Sequence, residues 1–343
     1  MPILGRRRTA NDWHVVNLGH LALSGPGLVF FEATHVSREG RITPHCLGLY
    51  SDDNEAGMAR VVAFLRRWTQ TKIGVQLAHA GRKASTLPPW EGGGPLDDER
   101  AWTPVAPSAI AYDGRAIVPA ALEPSGLAQI RGQFAAAAGR CARLGVDVVE
   151  LHFAHGYLAH EFLSPLSNRR DDEYGGSLAN RMRFPLQLFE DVRAVWPAAL
   201  PLGVRISATD YADGGWNLEE STAFARELRA RGCDFVDCSS GGLVPTQRID
   251  PHPGYQVEFA RTIRRAADVP TMAIGLITDP QQAERIVDGG DADFVALARG
   301  FLRDPRWVWN AADRLGGESF VPSQYLRARQ TRLADVPLEK LPP

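Results

Sequence analysis

Short apolar runs recur along the chain, each followed by a longer segment with the apolar spacing of a helix. Leu28–Ala33, Ile73–Ala78, Val146–His152, Leu202–Ser207, Phe235–Cys238, Thr271–Ile274 and Phe294–Leu297 read as strands. Most are near-continuously apolar, as strands of a parallel sheet buried on both faces must be. Asp12–Leu23, Glu55–Trp68, Pro124–Leu144, Leu178–Val195, Leu218–Arg231, Tyr255–Ala267 and Pro280–Asp288 read as helices. Ser177 and Asp279 stand where N-caps belong, and Pro280 takes the first helical position. Repeated strand–helix alternation predicts a parallel sheet, either barrel or doubly wound. No GxGxxG turn follows an early strand, which argues against the doubly wound dinucleotide fold. Seven strands are recognisable, and the repeat is entered at a helix. The expected fold is therefore α/β, a (β/α)8 TIM-type barrel missing strand 1. No linker divides it, so residues 1–343 are read as one domain. A long loop insert at 81–103 holds Gly92-Gly93-Gly94, Trp90 and Trp102, and a polar, Pro-containing tail follows at 328–343.

Composition narrows the function classes. Of 343 residues 44% are hydrophobic and 23% charged, with a net charge of −2, so no long-range field favours nucleic acid or an anionic membrane. Arg6-Arg7-Arg8 is a short run near the terminus and reads as a solvated arm. No apolar leader or membrane-length stretch stands out, so a cytoplasmic location is expected. Cys46, Cys141, Cys233 and Cys238 are scattered without a CxxC pair, against zinc, iron–sulfur or disulfide frameworks.

On a barrel of this kind chemistry sits at the C-terminal ends of the strands. Those ends read Glu32-Ala33-Thr34, then Gln76 to Lys83, then Glu150 to Tyr157, followed by Arg205, Ser239 to Gly242, Gly275 and Arg299. Polar and cationic groups on successive strand ends suit an anionic cofactor. His152 and His155 allow three readings. Two histidines make a poor metal site without a third ligand. They could be structural, satisfied by backbone. The favoured reading is a pair of donors that polarises one substrate oxygen. Tyr157, which alone would read as packing, becomes a general-acid candidate beside such a pair.

Three segments carry a family resemblance: Gly74 to Lys83 (GVQLAHAGRK), His152 to Tyr157 (HFAHGY), and Ser164 to Arg181 (SPLSNRRDDEYGGSLANR). Together they resemble the Old Yellow Enzyme family of flavin oxidoreductases from about Asn11 to Arg327, and the Gln324-Tyr325-Leu326-Arg327 ending resembles its bacterial thermophilic-like branch. The resemblance implies bound FMN and NADPH or NADH as reductant. It places Ala33 and Gln76 against the flavin ring, and Arg205 where a fixed guanidinium tunes flavin potential. Gly275, Leu276, Ala298 and Arg299 would hold the phosphate. His152 and His155 would bind the carbonyl or nitro oxygen of an activated alkene, and Tyr157 would protonate it in a ping-pong cycle. Lys83 would help orient substrate or nicotinamide, although an exposed loop lysine is the competing reading. Arg327 would reach into a neighbouring subunit's site, implying a homodimer or homotetramer. No nucleic acid, membrane or metal partner is implied.

The sequence departs from that family at its start. Met1 to Arg8 stand where a first strand and its flavin-contacting turn are expected. An open barrel would present two unpaired edges. The expectation is a marginal, weakly flavinated chain, or one rescued by Met1–Arg8 or a partner subunit covering the gap. A silent flavin-barrel relic with a binding or assembly role is the alternative function. Larger iron–sulfur relatives and a Schiff-base aldolase fit less well, because the cysteines are scattered and Lys83 lies beyond its strand.

Overall fold

In the computed structural model residues 9–327 are described; Met1–Arg8 and the 328–343 tail lie outside them. Helix α1 (Asp12–Ala22) leads into strand β1 (Leu28–His35), then α2 (Asp52–Trp68) and β2 (Lys72–Ala78). A long connection holds the two-residue strands β3 (Val105–Ala106) and β4 (Ala120–Ala121) before α3 (Pro124–Arg143). There follow β5 (Val148–Phe153), α4 (Leu158–Leu163), α5 (Leu178–Val195), β6 (Leu202–Ser207), α6 (Leu218–Ala230) and β7 (Phe235–Ser239). The order closes with α7 (Val257–Ala267), β8 (Thr271–Ala273), α8 (Pro280–Asp288), β9 (Phe294–Val295), α9 (Arg299–Arg303) and α10 (Trp307–Leu315).

Local chemistry accounts for these helices. Ser51 Oγ accepts the Asn54 N–H at the start of α2. That helix opens with Asp52, Asp53 and Glu55 and closes with Arg66 and Arg67, so its charges oppose the dipole at both ends. Asp279 caps α8 ahead of Pro280. Helix α7 ends at Asp268 in the left-handed conformation.

The sheet is parallel throughout, in the order β1-β2-β5-β6-β7-β8-β9. Among the described residues β1 and β9 each pair on one side only, which is the seven-stranded open barrel expected. Outward side chains such as Phe31, Val75, Leu151 and Val204 pack under the helices in the main core. Each fully buried apolar side chain contributes about 1.5–3 kcal/mol. Inside, Val148, Phe235 and Met272 form a smaller cluster with Leu28, Phe30 and Ala296. It is built on two glycines: a methyl at Gly74 would run into the Phe30 ring, and one at Gly203 into Phe235. Phe294, level with Met272 on the unpaired edge, is 51% exposed.

The last two strands are shorter than expected. β8 stops at Ala273 rather than Ile274, because Gly275 turns the chain with φ 107°. β9 stops at Val295 rather than Leu297; among the described residues it pairs only with the short strand β8, at Met272–Phe294 and Ala273–Val295.

Candidate active site

The sheet places one functional row on its inner face. Side chains of a strand alternate, so residues two apart share a face. Glu150 and His152 on β5, Gly203, Arg205 and Ser207 on β6, and Asp237 and Ser239 on β7 therefore point together. Register sets His152 beside Arg205, Arg205 beside Asp237, and Ser207 beside Ser239. Gln76 on β2 lies beside Glu150, and its Nε2 donates to Glu150 Oε1 at 2.7 Å. Arg205 Nε lies 3.2 Å from Asp237 Oδ2.

Beyond β5 the chain makes a tight turn. His155 and Gly156 are both left-handed, with φ of 59° and 71°. Gly156 is required there twice over: for its φ, and because a side chain would strike the Gly242 carbonyl. The turn folds His155 and Tyr157 back over His152. The His152 and His155 rings meet edge to face at 5.1 Å, and the His152 and Tyr157 rings at 5.0 Å. His155 Nε2 lies 2.6 Å from Ser239 Oγ, and the His155 N–H donates to Ser207 Oγ at 2.9 Å.

Lys83 joins this group, against the reading of an exposed loop lysine. Its Nζ donates to the carbonyls of His155 and Gly242, each at 2.9 Å, and lies over the rings of Tyr112 and Tyr157. Burial lowers its pKa to about 8. Glu161 sits close by, its carboxyl raised to about 8 by burial against the pull of Arg82 and Lys83.

Electrostatics define what each group can do. Burial first, then the Arg205 charge, hold His152 and His155 well below the ordinary histidine range. Both rings are neutral at pH 7, so each offers one N–H. Burial pushes the Tyr157 phenol up, so it keeps its proton. Glu150 and Asp237 are both raised by burial, with Arg205 acting against it.

Several buried polar atoms of this floor have no hydrogen-bond partner: Glu150 Oε2, His152 Nδ1 and Asp237 Oδ1, while Arg205 Nε meets Asp237 only as an ion pair. Buried unsatisfied groups cost about 1–3 kcal/mol each, so this row calls for a polar ligand. A flavin fits that demand. Its pyrimidine edge carries both donors and acceptors, and Gln76 and Arg205 supply their complements. Ala33 lies on β1 within the irregularity in its pairing with β2, between the Phe31–Val75 and Thr34–Leu77 pairs that flank Gln76. On the far side, Gly275 and Leu276 are both left-handed, at 107° and 54°. Ala298 and Arg299 follow the neighbouring strand β9, exposed at the start of α9. The two turns follow the paired strands β8 and β9, so they lie at the same end of the sheet.

Arg327 is not brought to this group. It is exposed, two residues beyond Tyr325, which packs on Trp309 and under Arg306. Arg306 donates to the His20 carbonyl on α1, and Tyr325 shares a groove with Leu23 at the end of α1. That end of α1 leads into the start of β1, opposite the mouth of the barrel.

The sequence reading gave no role to Glu150, Asp237, Ser207, Ser239, His160, Asp210 or Glu161. A signal existed for Glu150, Asp237 and Ser239. An acid inside an apolar strand, two positions before a strand-end His or Ser, must share its face.

Comparison with known proteins places the site in context. The model of the NADH:flavin oxidoreductase / NADH oxidase family matches residues 10–317. The chain is 42% identical to an NADPH dehydrogenase of Bacillus subtilis (strain 168) over 315 residues, 92% of this chain and 88% of that protein. It is 43% identical to the NADPH dehydrogenase of Geobacillus thermodenitrificans (strain NG80-2) over 319 residues, 93% and 88% of the two chains. Among solved structures, morphinone reductase superposes with a TM-score of 0.76 at 27% identity, covering 93% of this chain and 85% of that one.

Proposed function

Because this chain belongs to the NADH:flavin oxidoreductase / NADH oxidase family, that of the Old Yellow Enzymes, we propose that it uses NADPH or NADH to reduce the C=C bond of activated alkenes, enones and nitroalkenes among them, in a ping-pong cycle. It is an oxidoreductase with FMN as cofactor, acting on small molecules. Bound FMN supplies the hydride relay between the reduced nicotinamide and the β-carbon of the alkene. One observation carries the proposal: two neutral histidines and one protonated tyrosine converge at a strand end beside a cationic, partly unsatisfied floor.

In this reading His152 and His155 donate to the substrate's carbonyl or nitro oxygen and draw electron density from the β-carbon. Tyr157 then gives its proton to the α-carbon. Lys83, anchored on the His155 carbonyl, fixes the floor under Tyr157 and leaves a cation near the substrate. Gln76, Arg205 and Ala33 line the flavin ring, and Arg205 offsets negative charge at its pyrimidine edge. Gly275, Leu276, Ala298 and Arg299 take the phosphate. Arg327, remote from its own mouth, completes a neighbouring subunit's site in a homodimer or homotetramer. The single-domain reading of 1–343 and a cytoplasmic location belong to the same proposal.

The test separates the two half-reactions. Flavin reduction by NADPH and flavin reoxidation by 2-cyclohexenone are followed anaerobically in the wild type and in Tyr157→Phe. The proposal expects reoxidation to slow by roughly 10²–10⁴-fold, the usual worth of a general acid, with reduction little changed. Equal losses in both halves would assign Tyr157 to packing. Release of FAD, or of no flavin, on denaturation would overturn the cofactor assignment.

A further inference from the structure

A second buried group lies behind the turn that carries His155 and Tyr157, and no step of the reaction uses it. His160, on the first turn of α4, is fully buried, as are Asp210 and Ser164. The Gly156 N–H donates to His160 Nδ1 at 2.9 Å. On the other side of the ring, His160 Nε2 lies 2.9 Å from Asp210 Oδ1, off the line of an ideal hydrogen bond. Asp210 is itself held: its Oδ2 accepts from Ser164 Oγ at 2.6 Å and from the Trp216 N–H at 2.8 Å.

The tautomer follows from these contacts. Nδ1 faces an N–H, so it must carry a lone pair, and the ring proton sits on Nε2, facing the carboxylate. The opposite tautomer would set two donors against each other at Gly156 and a lone pair against Asp210. Asp210 therefore selects the ring form that can accept from Gly156.

The turn needs that acceptor. His155 is a side-chain-bearing residue in the left-handed region, a strained conformation that persists only where its surroundings hold it. Three consecutive N–H groups are tied down: His155 to Ser207 Oγ, Gly156 to His160 Nδ1 and Tyr157 to the Ala154 carbonyl. Only the middle one depends on a titratable ring. It sits between the residue that binds the substrate oxygen and the residue that gives the proton.

We propose that His160, oriented by Asp210, is a positioning residue that holds the His155-Gly156-Tyr157 turn and so aims the phenol of Tyr157. The inference rests on the general-acid reading of Tyr157, and its test is arranged to fail separately. An asparagine at position 160 places its Oδ1 near the position of Nδ1 and keeps an acceptor for Gly156. A glutamine reaches toward Asp210 and leaves the Gly156 N–H without a partner. The FMN-loaded variants His160→Asn and His160→Gln are made in the wild type and in the Tyr157→Phe background. Reoxidation by 2-cyclohexenone is measured, with amide hydrogen exchange of the 153–158 segment as a readout independent of activity.

Expected is a loss of roughly 10- to 100-fold for His160→Gln, a fraction of what a general acid contributes. His160→Asn should restore most of that rate, and exchange in the segment should be faster only in the Gln variant. In the Tyr157→Phe background His160→Gln should cost little more, since the group it aims is gone. Losses that multiply fully across the two backgrounds, or a Gln variant that works better than Asn, would overturn the proposal. So would unchanged exchange in 153–158. A Tyr157→Phe protein with wild-type reoxidation overturns the general-acid reading, and the exchange difference then decides the turn-holding role of His160 by itself.

Discussion

Replacing Glu161 by glutamine should make the protein's stability less sensitive to alkali. Glu161 is fully buried on α4. Its Oε1 accepts the Arg82 N–H at 2.8 Å, and its Oε2 has no partner. Burial, opposed by Arg82 and Lys83, raises its pKa from 4.5 to about 8. The sign follows from proton linkage: between pH 4.5 and 8 the folded carboxyl holds a proton that the unfolded one has released, so stability falls as pH rises. Its contribution is fully present below pH 4.5 and is lost by about pH 8. The slope is about 1.4 kcal/mol per pH unit, so the ceiling is on the order of 5 kcal/mol, a large share of a typical 5–15 kcal/mol margin. Glutamine has the same shape, keeps an acceptor for the Arg82 N–H, and does not titrate. Shape matters here, because the carboxyl packs directly against Gly81. Urea unfolding of flavin-free protein at pH 5, 6.5 and 8, followed by tryptophan fluorescence, measures the effect. Glu161→Gln and wild type should be similar at pH 5 and diverge in favour of the variant by pH 8. Parallel curves for the two proteins would mean that Glu161 is ionised in the fold, and the burial argument would be wrong.

Changing His152 and His155 together to alanine should remove binding of phenolic ligands to the FMN-loaded enzyme; an unchanged spectroscopic titration with p-hydroxybenzaldehyde refutes the paired-donor role. Gly203→Ala should lower stability by about 1–3 kcal/mol, since its methyl meets the buried Phe235 ring; an unchanged denaturation midpoint would show that the inner cluster has room to shift. Arg327→Ala should raise KM for alkene several-fold with no change in melting temperature; a defect that is the same in dilute monomer and in concentrated oligomer excludes a role across the interface.

Most of the frame was legible because burial on both faces leaves a mark in one dimension. The runs at Leu28, Ile73, Leu202 and Phe235 start within one residue of the strands they form. Helix α5 was read to the residue, its Ser177 cap accepting from the Asn180 N–H. Boundaries differ elsewhere: α2 begins at Asp52 rather than Glu55, and β5 runs Val148–Phe153 rather than Val146–His152. β9 keeps two residues of an apolar run of four, because pairing, not hydropathy, decides where a strand ends, and only β8 pairs with it among the described residues. α4 spans six residues, too few to show a helical period, and was passed over.

The site was legible in a different way, and its limits are physical. Motifs pointed to Gln76, His152, His155 and Tyr157, and the strand-end reading to Arg205, but neither records what surrounds them. Glu150 meets Gln76 across 74 positions of sequence, and Ser239 meets His155 across 84. Such meetings are fixed by register between strands, which no local pattern records. The same holds for His160 and Asp210, which come from a short helix and a strand-end loop and touch only once the sheet is built. Lys83 shows the consequence most directly. In sequence it is a charged residue past a strand end; in the fold it is anchored on the His155 carbonyl from one side and that of Gly242 from the other. Its ammonium thus ties the β2 loop to the turn after β5 and to the loop after β7, and it does so beside the ring of Tyr157. A group that joins three strand ends by backbone carbonyls holds the mouth of an open barrel in shape as well as charging it, and a reading of residues one at a time could find only the charge.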